Sequence, residues 1–73
     1  MVFRVAYEQK SVVQTVQRKE ETIAFFDWPT DNPPRDEVVE LVRKLSAGDF
    51  VESSIRISKI DSHTEGLRIL KLK

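Results

Sequence analysis

Apolar and polar residues alternate singly through the first segment, VFRVAY, which puts Phe3, Val5 and Tyr7 on one side of an extended chain and Arg4 and Glu8 on the other. A period of two marks a strand with one buried face, so a first strand is predicted there. The next segment, SVVQTVQRKEETIAFFDW, carries two competing patterns. Val12, Val13 and Val16 fit a helical stripe, whereas the β-branched Val12, Val13, Thr15, Val16, Thr22 and Ile23 favour sheet. The sheet reading is preferred: SVVQTVQ and TIAFFDW become strands, and the charged RKEE becomes a turn of ordinary length without the glycine or asparagine of a strong hairpin signal. A helix over residues 11–21 is the alternative.

The pattern then changes period. In NPPRDEVVELVRKLSAGD, Val38, Val39, Leu41, Val42 and Leu45 recur at helical spacing, with Arg35, Glu40, Arg43 and Lys44 on other faces. This predicts an amphipathic helix of about three turns. Asp31 or Asn32 is expected to cap it, Pro33 or Pro34 to suit its first turn, and Gly48 to close it; Asp36 and Glu37 complement the helix dipole at one end, Arg43 and Lys44 at the other. Alternation returns in FVESSIRISKI, where Val51, Ser53, Ile55 and Ile57 share a face, and in LRILKLK, where Leu67 and Ile69 oppose Leu70 and Leu72. These read as two antiparallel strands joined by the polar loop DSHTEG, the last of them interior to the sheet or covered by a dimer contact. The order is βββαββ in one domain spanning residues 1–73, a small two-layer α+β sandwich with one helix packed across an antiparallel sheet.

Composition narrows the setting. Hydrophobic residues at 40% and charged residues at 33% suit a folded core in a chain of 73 residues. There is no cysteine, so neither disulfides nor thiolate metal sites are available, which favours a reducing, cytoplasmic compartment. Arg4, Glu8 and Lys10 interrupt the start of the chain as a signal segment, and no later stretch is apolar for long enough to cross a bilayer. Twelve basic and twelve acidic residues cancel, leaving no global field to attract phosphate backbones or anionic lipid.

Candidate chemistry is sparse. His63 sits between Asp61 and Glu65, but a zinc site needs more converging ligands, and a solvated loop explains the trio. Ser53, Ser54 and Ser58 are accounted for by strand alternation, and Gly48 and Gly66 cannot compose a phosphate loop. Glu20 and Glu21 beside Arg18 and Lys19 read as a solvated turn. No catalytic residue, metal or cofactor is expected, and no family motif is recognised. The opening that remains is the aromatic run before the prolines. Alternation sends Phe25 and Asp27 to one face and Phe26 and Trp28 to the other. A domain this small needs its aromatics in the core, so the preferred place for this group is between sheet and helix, and whichever member faces outward is covered by the PTDNPP loop or by a second molecule. The expected function is a non-enzymatic protein–protein interaction or regulatory module, joined to another protein or to itself as a homodimer through Phe26, Trp28 and Pro29, with Trp28 either core or interface. The alternative is a nucleic-acid-binding accessory protein in which Arg56, Lys59, Arg68 and Lys71 on the last hairpin meet phosphates while Tyr7 or Phe25 stacks on bases. No membrane contact is expected.

Overall fold

The computed structural model describes residues 1–60 and 66–72. One helix packs on a four-stranded mixed sheet, an α+β fold whose elements run β1 (Val2–Val13), β2 (Val16–Asp27), α1 (Arg35–Ser46), β3 (Phe50–Ile60) and β4 (Ile69–Lys71). The spatial order of strands is β3-β1-β2-β4, with β1 antiparallel to both β2 and β3, and β4 parallel to β2.

The first predicted strand and the SVV of the second are one strand, while the remaining QTVQ makes the turn and the start of the next strand. β1 runs without a break to Val13, and β2 returns from Val16 in a register that pairs Val13 with Val16 and Val2 with Asp27. The turn is Gln14-Thr15, both with positive φ, at 52° and 67°, as a two-residue type I′ hairpin requires. RKEE is not a turn: Arg18, Lys19, Glu20 and Glu21 lie inside β2, opposite Ser11, Lys10, Gln9 and Glu8. The helix over residues 11–21 is likewise replaced by strand and turn, in line with the β-branched side chains there.

The core lies between the sheet and α1. Phe3, Val5 and Tyr7 of β1, Phe26 of β2, Trp28 just beyond it, Ile55 of β3, and Val38, Leu41 and Val42 of α1 form one buried cluster. Phe3 and Phe26 are cross-strand partners whose rings stack with centroids 5.4 Å apart. A buried phenylalanine of this kind contributes roughly 1.5–3 kcal/mol. The helix lies where periodicity predicts it, but its cap differs. Pro34 is the N-cap and no side chain bonds there, so neither Asp31 nor Asn32 serves; the Pro34 carbonyl accepts from the Glu37 and Val38 amides. At the other end both Ala47 (φ 55°) and Gly48 (φ 85°) are left-handed, and the Gly48 amide donates to the Arg43 carbonyl.

The predicted C-terminal hairpin does not form. β3 borders β1 and β4 borders β2, so they occupy opposite edges and the sheet is mixed rather than antiparallel. β4 is a three-residue edge strand, not an interior one. Of its apolar residues, Leu70 and Leu72 pack against the core on the helix side, while Ile69 lies on the other face beside Phe25. The DSHTEG loop, His63 included, lies outside the described residues except for Gly66.

Candidate functional site

The helix covers one face of the sheet. Because Phe3, Val5 and Tyr7 point to it, the intervening Val2, Arg4, Ala6, Glu8, Lys10 and Val12 point to the other, open face, and their cross-strand partners join them. Reading across β3, β1, β2 and β4, the rungs of that face are Ile60, Val2, Asp27 and Lys71, then Ser58, Arg4, Phe25 and Ile69, then Arg56, Ala6 and Ile23. An antiparallel sheet that faces water is ordinarily polar on its wet side. Here Val2, Phe25, Ile60 and Ile69 are half-buried and Ile23 is 44% exposed, an apolar centre with no element of the described chain packed over it.

Beyond this centre the hairpin continues as a two-stranded arm. β3 is interrupted by an irregularity opposite the Ala6–Glu8 stretch, where the Ser54 hydroxyl accepts from the Glu8 amide and donates to the Val51 carbonyl, replacing the ladder bond that the bulge removes. The last β1–β3 rung is Gln9 with Phe50, and the Gln9 side-chain amide donates to the carbonyls of Ser46 and Asp49. Residues from Ser11 to Arg18 have neither β3 nor α1 beside them, and the molecule is correspondingly long, 41 × 26 × 16 Å. The arm carries Val12, Val13 and Val16 at 68%, 49% and 55% exposure.

The arm also carries charge in an unusual order. On the open face Glu8 sits directly opposite Glu21, and two residues further out Lys10 sits opposite Lys19. Like charges directly across a pair of strands oppose pairing. A concavity of about 930 Å³ lies along the edge of the arm, bounded by residues of both its faces, Lys10, Val12, Gln17 and Lys19 on one and Ser11 and Arg18 on the other, and by Asp49 and Val51.

Several residues expected at a site lie elsewhere. Phe26 is fully buried and Trp28 is 7% exposed, so both are core and neither offers a contact surface; Pro29 alone of that group is exposed. The reason is the alternation itself, which turns Phe26 and Trp28 towards α1 and Phe25 to the open face. Tyr7 is 3% exposed and cannot stack on a base, and its burial raises the phenol above its ordinary pKa. The basic set is divided by the topology: Arg56 belongs to β3, while Lys71 belongs to β4 and Arg68 precedes it at the other edge. Lys59 is on the helix side, opposite Phe3, and its ammonium donates to Asp31 at 2.7 Å. Arg4 was not anticipated, yet it shares a rung with Phe25. Its side was legible in the VFRVAY alternation, but its partner depended on the position of the turn.

Asp27 closes the lower rung. The Met1 amino group donates to it at 2.9 Å, and that bond, with the amine and Lys71 charges nearby, holds the carboxyl below its usual pKa. Among the described residues no helix is long and apolar enough to cross a membrane. No protein-family model matches the chain, and neither curated proteins nor solved structures provide a match.

Proposed function

We propose that this chain is a non-enzymatic protein–protein interaction module of the cytoplasm whose contact surface is the open face of the sheet, not the Phe26–Trp28 surface expected from sequence. One observation carries the reading: the face turned away from α1 has Val2, Ile23, Phe25, Ile60 and Ile69 where a solvated face would be polar. These apolar residues surround Arg4 and have Arg56, Lys71 and Asp27 at their margin, a mixture of apolar and charged groups that suits a protein contact. The test is quantitative co-purification with the tagged full chain, comparing the unaltered protein with an Ile23→Lys, Phe25→Glu variant. Protein partners, copies of the chain itself included, should be recovered with the first and lost with the second. Equal recovery with both contradicts the proposal.

A second reading has its own observation. The Arg4–Phe25 rung, with Arg56 and Lys71 on the adjoining rungs, sets an aromatic ring among cations, a combination that suits single-stranded nucleic acid. Binding of a mixed single-stranded oligonucleotide that weakens with salt and disappears in an Arg56→Ala, Lys71→Ala variant would favour it.

A further inference from the structure

The arm and the open face are complementary to each other, but within one chain they cannot meet, because they are parts of the same hairpin surface. We infer that the open face is occupied by a second copy of this chain, stacked face to face and inverted, so that each copy lays its arm over the Glu8–Glu21 and Ala6–Ile23 rungs of the other. This rests on the reading of the open face as an interaction surface and specifies its occupant.

The charges select the arrangement. Consecutive rungs on one face of a strand are about 7 Å apart, and stacked sheets are about 10 Å apart. Consider a two-fold axis lying between the sheets, perpendicular to the strands, and passing midway between the Glu8–Glu21 rung and the Lys10–Lys19 rung. It places Glu8 and Glu21 over the partner's Lys10 and the partner's Lys19, and the reverse follows by symmetry. The same operation carries Ala6 and Ile23 over the partner's Val12 and the partner's Gln17. Ile23 and Val12, exposed at 44% and 68% in the single chain, are then both covered. An axis running along the strands would instead put the acidic rung on the partner's acidic rung and the lysines on the partner's lysines, so the charge pattern admits one orientation and opposes the other.

Two features otherwise lacking a purpose are accounted for. The paired like charges, which oppose the hairpin that holds them, become opposite-sign contacts across the interface. A two-stranded ribbon has little stability of its own in water, and a second copy on the open face provides the cover that Val12 lacks, Val13 and Val16 being on the opposite face.

Charge exchange tests the arrangement. In K10E/K19E both rungs are acidic, and in E8K/E21K both are basic. Each variant should sediment as a single chain where the unaltered protein is a dimer, with dissociation constants raised by ~100-fold or more, while an equimolar mixture should form the heterodimer. The four-fold exchange E8K/K10E/K19E/E21K, whose rungs again alternate in sign, should dimerise with itself; this keeps the test decisive if four like charges unfold either double variant. Retained self-association of both folded double variants, or a four-fold exchange that remains monomeric while folded by circular dichroism, overturns the arrangement. A monomeric unaltered protein also overturns it. If that protein still recovers a different partner that Ile23→Lys, Phe25→Glu loses, the open face survives as an interaction surface and only the second copy is discarded.

Discussion

Phe25 and Phe26 are adjacent in the chain and lie on opposite sides of the sheet. Phe26 is fully buried and stacked on Phe3, whereas Phe25 shares the open face with Arg4 and Ile69. That division leaves Phe25, and not Trp28, as the aromatic residue on the open face. Trp28 then has a structural role, 7% exposed within the cluster that joins the sheet to α1. Trp28→Ala should lower the unfolding free energy by about 3–5 kcal/mol, a large share of the roughly 5–10 kcal/mol available to a small domain. Pro29→Ala, one residue along but exposed, should change it by less than about 0.5 kcal/mol. Urea denaturation of both variants checks the pair, and a Trp28→Ala loss as small as that of Pro29→Ala would remove tryptophan from the core.

The β1–β2 hairpin is the element on which the rest depends, and its turn was the least legible part of the sequence. Gln14 and Thr15 both take positive φ, a conformation that neither residue favours and that a β-branched side chain resists. The usual Asn-Gly signal is absent, and RKEE, being charged, resembled a loop more than the true turn did. Alternation also fails as a guide along an arm to which no other element of its own chain gives a buried face. The helix was legible because one of its faces is buried and the other solvated, so Val38, Leu41 and Val42 recur at its period. The position of β4 was not legible, because three residues carry too little pattern to specify which edge they join. Replacing Gln14-Thr15 with Asn-Gly should relieve the strain at both positions and stabilise the fold by about 1–2 kcal/mol. Thermal or urea unfolding measures this, and a neutral or destabilising result would contradict the type I′ turn.

At the scale of the whole molecule, one helix is too little cover for a four-stranded sheet. The core-facing residues of β1 and β2 were legible from strand alternation, but the open face was not, because its apolar centre is assembled from one or two residues of each of four strands: Ile60, Val2, Ile23 with Phe25, and Ile69. Only the register brings them together. The same register aligns the acidic and basic rungs that make the surface complementary to its own inverted copy. Sedimentation equilibrium of the full chain over a range of concentrations, beside the Ile23→Lys, Phe25→Glu variant, measures the consequence directly. The mass of the unaltered protein should rise to twice the 8.5 kDa of one chain while the folded variant stays at the single-chain value. A single-chain mass for both across that range would contradict self-association through the open face.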